Sequence, residues 1–329
     1  MLRLAVPSDG ALHDPSLLFL KSSGMGVSRR NLRRYTAEIP SLPGVVVHFQ
    51  RGSDIAMKVE EGSAELGLVG LDRFLETRRE GGGSRVVIDN LGFGQAELAL
   101  GVPDSWVDVS SLADLADLAV EFRAKGTDLR IATKYPRLVE RFLLGHGVAF
   151  FTLVQSNGTL EAAPEMGYAD IIADISSTGT TMRANRLKTI AGGSVVTSEA
   201  CLIGNGALLA ADPEKLRLAT DVVERIEGRM RSLDFYTITA NMKGEDPNSL
   251  AAYVLEHADI SGLRGPTISK VYTGDGNGWF SVTVIVEKDK LLGAVDQFRE
   301  LGGSSVTVSQ PDYVFHSECS AVERLTSPN

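Results

Sequence analysis

Apolar and polar positions alternate between two kinds of segment over the first part of the chain. Short apolar or β-branched runs predict strands, namely LRLAVP at 2–7, VVVHF at 45–49 and ELGLVG at 65–70. Segments with apolar residues three and four apart lie between them and predict helices, as in HDPSLLFLKSSG at 13–24. Strands that alternate with helices favour a parallel or mixed sheet that is covered on both faces.

The same pattern begins afresh near residue 129. The strand LRIAT is followed by PRLVERFLLGHG at 136–147, a predicted helix with proline at its first position. A later apolar run, ADIIADI at 169–175, predicts another buried strand. Two α/β units in series therefore follow one another, and GSVV and ACLIG, at 193–204, are predicted to return to the first unit.

Beyond residue 232 the order of elements changes to strand, helix, strand, strand, helix, strand. That order is typical of a ferredoxin-like domain. The sequence thus predicts an α/β protein with a two-lobed core, similar in plan to periplasmic binding proteins, and a C-terminal ferredoxin-like (βαββαβ) domain. The predicted boundaries are residues 1–102 with 194–231 for the first lobe, 103–193 for the second, and 232–329 for the C-terminal domain.

Composition narrows the classes of function. The chain has 329 residues, of which 43% are hydrophobic and 23% charged, and a net charge of −9. This profile is that of a globular protein, and the negative charge argues against a nucleic-acid partner. No apolar run is long enough to cross a membrane and the first residues do not resemble a signal peptide, so we expect a cytoplasmic protein without membrane association. Its two cysteines, Cys201 and Cys319, are far apart and are expected to be free thiols.

A hydroxyl-rich stretch, ADISSTGTTMR at 173–183, ends the predicted strand ADIIADI. Gly179 permits a turn that gathers successive backbone N–H groups, and the helix predicted after it would add N-terminal amides, which favour an anion such as phosphate. Asp174, just ahead of the loop, suits paired sugar hydroxyls better than phosphate. Phosphate beside a diol describes a ribose 5-phosphate, whereas the alternative is an ordinary loop after a strand.

The residues around this loop, LEAAPEMGYADIIADISSTGTTMRANRLKTI, closely resemble the signature of the ATP phosphoribosyltransferases. The resemblance covers nearly the whole chain. Its other blocks are LRLAVPSDGAL, RGSDIAMKVEEGSAELGLVGLD, NLGFG, RIATKYPRLVERFL, TANMKG, SGLRGPTISKVY and VIVEKDKLLGAVDQFRELGGSSVTVSQPDYVF. The last three resemble the long form of the family, which carries a ferredoxin-like regulatory domain.

The resemblance implies a glycosyl transfer, the first step of histidine biosynthesis. The adenine ring of ATP attacks the anomeric carbon of phosphoribosyl pyrophosphate, pyrophosphate leaves with Mg²⁺ as the cofactor, and phosphoribosyl-ATP forms. It also implies an allosteric enzyme that histidine inhibits, assembled as a homo-hexamer. The alternative is a non-catalytic or weakly catalytic ligand-binding member of the same fold, and transfer to another base is poorly supported because all the blocks match the ATP-using family.

The resemblance also assigns roles to residues of this chain. Asp174 and Arg51 are the implied catalytic residues. Residues implied to bind phosphoribosyl pyrophosphate are Asp174, Ser177, Thr178, Gly179, Thr180, Thr181 and Glu161. Residues implied to bind the nucleotide are Asp72, Leu91, Gly92, Phe93, Lys134 and Tyr135. Thr267 and Ser269 are implied to bind the effector histidine. For Asp72 the alternative is a helix N-cap, and for residues 91–94 it is a hinge turn.

One turn departs from the family pattern. The family's first turn usually reads Pro-x-Lys-Gly, whereas this chain has Pro7-Ser8-Asp9-Gly10, an acid in place of a base. Asp9 would repel a bare diphosphate, although a carboxylate can help to hold Mg²⁺. This substitution supports the ligand-binding alternative.

Overall fold

A computed structural model describes residues 1–29, 31, 33–155, 159–176, 179–260, 262–273 and 278–326. In these ranges the strands are β1 (Leu2–Pro7), β2 (Thr36–Glu38), β3 (Val45–Gln50), β4 (Leu66–Gly70), β5 (Ser84–Ile88), β6 (Ala96–Pro103), β7 (Leu129–Thr133), β8 (Phe151–Gln155), β9 (Ile171–Ser176), β10 (Leu187–Ser198), β11 (Ala200–Asn205), β12 (Phe235–Lys243), β13 (Thr267–Lys270), β14 (Trp279–Glu287) and β15 (Ser304–Ser309).

The α-helices in the same ranges are α1 (His13–Ser22), α2 (Ile55–Glu60), α3 (Leu71–Thr77), α4 (Leu112–Ala124), α5 (Pro136–Gly145), α6 (Thr180–Ala184), α7 (Gly206–Ala210), α8 (Pro213–Ser232), α9 (Pro247–Leu255), α10 (Leu291–Glu300) and α11 (Ser320–Thr326). Short 3₁₀ turns lie at Leu160–Ala162, Ala258–Ile260 and Lys288–Lys290. None of the helices in the described part of the chain is long and apolar enough to cross a membrane.

The first lobe is built on a mixed sheet in the order β2-β3-β1-β4-β11-β5. Strands β1, β3 and β4 are parallel, and β11 runs antiparallel between β4 and β5. Both β1 and β4 are buried on both faces, as their continuous apolar sequence predicts. Because β1 and β3 are parallel and in register to Pro7 and Gln50, the turns after them lie at the same edge of the sheet.

The second lobe has a mixed sheet in the order β10-β6-β9-β7-β8. Its core contains Leu98, Leu100, Ile131 and Ile171, packed with α4 and α5. Helix α4 begins at a capping box in which Ser111 Oγ accepts from the Asp114 amide at 3.2 Å and Asp114 Oδ2 accepts from the Ser111 amide at 2.9 Å.

The lobe boundaries differ from the sequence predictions. The predicted first lobe includes β6, within residues 1–102, and the end of β10, at residues 194–198. In the structure, β6 and the whole of β10 belong to the sheet of the second lobe. Only β11 crosses back, as predicted for ACLIG. The physical reason is that β6 and β10 pair with each other, and their apolar side chains pack in the core of the second lobe.

The chain divides into two compact units, Met1–Thr220 together with the segment that starts at Ala321, and Asp221–Ser320. The second unit contains the predicted ferredoxin-like fold, since β12, α9, β13, β14, α10 and β15 follow one another and form a sheet in the order β13-β14-β12-β15. All its neighbouring strands are antiparallel. Leu325, which the prediction assigned to the C-terminal domain, is instead fully buried in the first unit, close to Gly204.

Candidate active site

The hydroxyl-rich loop follows β9 as predicted. Gly179 has a positive φ of +68° and its amide donates to Ser176 Oγ at 2.7 Å, which closes a turn directly before α6. Thr180 and Thr181 begin that helix, and both are exposed. Ser177 and Thr178, two of the predicted phosphate ligands, lie outside the described residues. A left-handed glycine ahead of a helix is compatible with a phosphate-binding loop, and phosphate binding itself stays a prediction.

Asp174 lies in β9, near the strand end that leads to this loop, and is partly buried. Its Oδ1 accepts from the Ile175 amide at 2.8 Å. Burial raises the pKa of the Asp174 carboxyl above its ordinary value; the Ile175 amide and the Lys134 and Arg73 charges oppose that shift, and the Glu161 carboxylate adds to it. The fold therefore brings together Asp174, Glu161 and Lys134, all predicted for the site, with Arg73, which sequence reasoning missed. A carboxylate with an unfavourable environment for its charge gains from new donors such as ribose hydroxyls.

Asp72 occupies the second position of α3 and is 7% exposed. Its Oδ2 accepts from the Tyr135 hydroxyl at 2.6 Å, and its Oδ1 accepts from Ser198 Oγ at 2.5 Å. The N-cap alternative for Asp72 is wrong, because Gly70 holds that position and no side chain caps it. Asp72 instead joins the first lobe to Tyr135 in the second and to Ser198 at the crossing between them.

Tyr135, at the start of α5, is 3% exposed. The guanidinium carbon of Arg73 lies 4.2 Å from the centre of its ring. Burial and the Asp72 carboxylate raise the pKa of Tyr135 well above its ordinary value, so the hydroxyl remains a donor at neutral pH. Lys134 precedes it and is partly buried.

The loop at residues 91–95 is held by Glu199, which the sequence analysis did not identify. Glu199 Oε1 accepts from the Gly92 amide at 2.5 Å and from Gln95 Nε2 at 3.2 Å. Leu91 is buried, its amide donating to the Ala200 carbonyl at 2.9 Å. Phe93 packs against Phe19 of α1, with the ring centres 5.2 Å apart. These contacts anchor the loop to α1 and to the residues at the start of β11, and both the predicted nucleotide contacts and the hinge-turn alternative stay predictions.

A cavity of about 350 Å³ lies where the chain crosses between the sheets of the two lobes. Ser176 from the hydroxyl-rich loop, Ser198 beside Asp72, and Glu199 beside the loop at 91–95 all line it. The cavity therefore lies next to the hydroxyl-rich loop, next to Asp72 and next to the loop at residues 91–95, all of which were predicted to belong to the site. Ser198 and Glu199 come from the sequence TSEA, which carries no motif, so only the folded chain identifies them.

Arg51 and Asp9 are exposed and lie beyond the ends of β3 and β1, at one edge of the first sheet. The Ser8 amide donates to the Gln50 carbonyl at 2.7 Å, which holds the two turns together. Thr267 and Ser269 belong to the other unit, where both are exposed on β13. Among the described residues no group of three or more acidic, histidine or cysteine side chains could hold a metal.

Fold and site together define a two-lobed α/β protein with a cavity where the chain crosses between the lobes, and with an added ferredoxin-like domain. The family model of ATP phosphoribosyltransferase matches residues 51–228, and that of the HisG C-terminal domain matches residues 234–310. The chain is 36% identical to ATP phosphoribosyltransferase 2, chloroplastic, of Arabidopsis thaliana, over 99% of this chain and 80% of the relative. It is 39% identical to an ATP phosphoribosyltransferase of Mesorhizobium japonicum, over 69% of this chain and 98% of the relative.

Among solved structures, an ATP phosphoribosyl transferase (HisG:HisZ) complex from Thermotoga maritima aligns with a TM-score of 0.52 and 23% identity, over 69% of this chain and 98% of that one. This likeness supports the fold. The chain belongs to the ATP phosphoribosyltransferase family, whose members are transferases of histidine biosynthesis.

Proposed function

We propose that this enzyme transfers the phosphoribosyl group of phosphoribosyl pyrophosphate to the adenine ring of ATP, the first step of histidine biosynthesis. The observation that carries the proposal is the position of Asp174, a partly buried carboxylate with a raised pKa, directly ahead of the turn at Ser176 and Gly179. Membership of the family supports the choice of the two substrates.

The reaction breaks the bond between the anomeric carbon and pyrophosphate and forms a bond from that carbon to a ring nitrogen of adenine. The carbon gains positive charge as the leaving group departs, so catalysis depends on holding two anionic substrates in line and on stabilising charge. In this proposal Asp174 accepts hydrogen bonds from the ribose hydroxyls. The Gly179 turn and the first residues of α6 bind the 5-phosphate.

The cations beside Asp174 have a second task in this proposal. Lys134 and Arg73 lie close enough to act on the Asp174 charge, and we expect their positive charges to act on the substrate phosphates once both ligands are bound. Tyr135 stays protonated and in contact with Asp72, so its buried ring holds the Arg73 guanidinium in place.

Mg²⁺ enters this proposal with the diphosphate of the substrate. Magnesium is commonly held by substrate phosphates and one or two carboxylates, so it needs no group of three acidic side chains. Asp9 and Arg51 share the exposed edge of the first sheet, where Asp9 supplies one carboxylate and Arg51 a positive charge for the phosphates. When bound, the Mg²⁺ ion would neutralise negative charge on the leaving pyrophosphate.

A turnover assay tests the activity. The protein is mixed with ATP, phosphoribosyl pyrophosphate and Mg²⁺, with pyrophosphatase added, and product is followed by its near-ultraviolet absorbance. We expect product with the natural chain and slower turnover with Asp9→Ala, which removes the carboxylate proposed to hold Mg²⁺, whereas Asp9→Lys, the family's usual residue, tests whether a direct positive charge can replace it. Binding of phosphoribosyl pyrophosphate without turnover in all three proteins would favour the ligand-binding alternative.

We also propose inhibition by histidine through the ferredoxin-like unit, with Thr267 and Ser269 as ligands. Their side chains are exposed on β13, in register with Thr283 and Ser281 of β14, so a polar surface is present there. Thr267→Val with Ser269→Ala should abolish histidine inhibition and leave uninhibited turnover intact, whereas Ser304→Ala on β15 should change neither. Retained inhibition in the double variant would refute these two ligands.

The proposed assembly is a homo-hexamer, as the resemblance to the long form implies. Inhibition from a separate domain requires the effector to bind two states of the protein unequally, and subunit interfaces are a natural place for that difference. Sedimentation velocity with and without histidine measures the assembly, and a monomer under both conditions contradicts this part. The cytoplasmic location stays a prediction.

A further inference from the structure

Helix α5 begins without a cap of its own. Tyr135 holds the N-cap position, but its hydroxyl is bonded to Asp72 and makes no cap hydrogen bond. Pro136 has no N–H, and the first turn contains no acidic residue. The N–H groups of Arg137 and Leu138 therefore need acceptors from elsewhere in the fold.

Glu76 of α3 supplies both acceptors from the first lobe. The Arg137 amide donates to Glu76 Oε1 at 3.0 Å, and the Leu138 amide donates to Glu76 Oε2 at 3.0 Å. Glu76 is only 7% exposed. A buried carboxylate that accepts two hydrogen bonds at a helix N-terminus is stabilised by both the bonds and the helix dipole.

The opposite end of the contact is built in the same way. Helix α3 has no basic residue in its last turn; the Arg78 amide donates to the Phe74 carbonyl, and the carbonyls that follow need donors from elsewhere. Arg137 Nη1 donates to the Glu76 carbonyl at 3.0 Å and to the Arg78 carbonyl at 2.8 Å. An acid of α3 thus caps the start of α5, and a base of α5 caps the end of α3.

This exchange lies on the same face of α3 as Asp72, four residues earlier. Asp72 binds the hydroxyl of Tyr135 and Arg73 lies over its ring, while Glu76 holds the backbone that follows. The turn carrying Lys134 and Tyr135 is therefore fastened to the first lobe at three points.

We propose that Glu76 and Arg137 are positioning residues, which fix the turn at Lys134 and Tyr135 against the first lobe and so set the geometry of the active site. The part of this inference that concerns activity rests on the proposed function. Glu76 and Arg137 touch neither substrate in this scheme and act through Lys134 and Tyr135.

The experiment compares Glu76→Ala, Glu76→Gln and Arg137→Ala in the full chain, with the exposed Glu80→Ala as the matched control. For Glu76→Ala we expect kcat/KM to fall by about 10- to 100-fold, in line with the effect of misplaced catalytic groups. Glu76→Gln keeps one acceptor but turns an amide N–H₂ toward the other backbone N–H, so its loss should be intermediate. Arg137→Ala, which removes an exposed side chain, guards against a Glu76 variant that does not fold.

Two readouts separate positioning from mere stability. In a Tyr135→Phe background the further loss from Glu76→Ala should shrink at least 3-fold, because Glu76 acts partly through Tyr135. In protein labelled with fluorotyrosine, the ¹⁹F resonance that is missing in Tyr135→Phe should move in Glu76→Ala and Arg137→Ala, but not in Glu80→Ala.

The fluorine spectra need no substrate, so they decide the contact even if the proposed reaction fails. An unmoved Tyr135 resonance in folded Glu76→Ala and Arg137→Ala overturns the inference. Lower thermal stability with unchanged kcat and KM also overturns it. A natural chain without turnover counts against the proposed function alone.

Discussion

Strands β4 and β9 each have one acidic residue near the start and one near or beyond the end, and the carboxylates at the two ends have different hydrogen-bond partners. Before β4, the fully buried Glu65 accepts from the Arg3 backbone amide at 2.8 Å and from Lys215 Nζ at 2.9 Å. Beyond β4, Asp72 accepts from the hydroxyls of Tyr135 and Ser198.

Strand β9 repeats the contrast. Asp170, just before it, accepts from the Arg130 amide and from Arg130 Nη2, both at 2.8 Å. Asp174, toward its other end, bonds the neighbouring Ile175 amide. The acids before β4 and β9 are thus hydrogen-bonded to cations, whereas Asp72 accepts from hydroxyls and Asp174 from a backbone amide. In the proposed function it is Asp174, whose burial disfavours its charge, that gains from a ligand.

The largest effect should come from removing the charge near the end of β9. Asp174→Asn should lower kcat/KM for phosphoribosyl pyrophosphate by about 10²-fold or more, since a charged acceptor for the ribose hydroxyls is lost. Its melting temperature should stay equal or rise, because a carboxyl with a raised pKa is removed. Steady-state kinetics and thermal unfolding measure both. Asp170→Asn is the control, expected to lose stability and keep KM; an unchanged KM in Asp174→Asn would disprove its role.

The next effect concerns the far end of β4. Glu65→Gln should reduce the free energy of unfolding by about 3 kcal/mol, since Arg3 and Lys215 lose their buried partner. Urea unfolding measures this change, and kcat of the folded protein should not move. Glu61→Gln removes an exposed pair with Lys58 and should cost less than about 1 kcal/mol. Equal losses in the two variants would remove the distinction between buried and exposed pairs.

The two ends should also respond oppositely to pH. Burial raises the pKa of Glu65, but hydrogen bonds from Arg3 and Lys215 outweigh burial and lower this pKa from 4.5 to about 2. The ionised Glu65 therefore stabilises the fold above pH 4.5, and this stabilisation is lost as pH falls toward 2. Asp174 has a raised pKa, so its contribution exists below 3.8 and is lost as pH rises through the folded-state pKa. Unfolding free energies should be measured from acid to neutral pH. In Glu65→Gln the loss of stability on acidification should be smaller than in the natural chain, and in Asp174→Asn the stability relative to the natural chain should increase as pH rises. Parallel curves for the two variants would contradict this.

The smallest effect concerns a hydroxyl. Tyr135→Phe should cost about 1–2 kcal/mol in unfolding free energy, because the buried Asp72 keeps only Ser198 as a hydroxyl donor. Tyr168→Phe, whose hydroxyl donates to the Thr159 carbonyl at 3.2 Å near the surface, should cost less than half as much. Denaturant titration of both variants makes the comparison, and equal costs would mean that the buried Asp72 contact stabilises the protein no more than the surface hydrogen bond of Tyr168.

Much of the fold could be predicted because its signals are local. Alternating apolar residues in β12 and β14 bury one face of each strand, which identifies the ferredoxin-like sheet. Gly179 was recognisable as a turn residue because few other residues adopt its positive φ. Asp174 was recognisable from its place before the hydroxyl-rich loop.

Other features lie between residues distant in sequence. Ser198 is 126 positions from Asp72, and Glu76 is 61 positions from the amide it caps. Neither pair has a spacing that a local pattern could reveal. The same holds for Glu199, whose contact with Gly92 depends on how β11 returns to the first sheet.

Local patterns in the sequence specify most of the strands and helices, the ferredoxin-like order, the hydroxyl-rich turn and the resemblance to the family, but the helix α4 was not predicted from them. The tertiary structure alone decided that β6 and β10 complete the second sheet, and that Asp72 and Glu76 of one helix hold the start of α5. The physical reason is that hydrophobic periodicity predicts which side chains are buried but does not predict which sheet they pack against. Buried polar groups must then find partners among whatever groups the folded chain brings within hydrogen-bond distance.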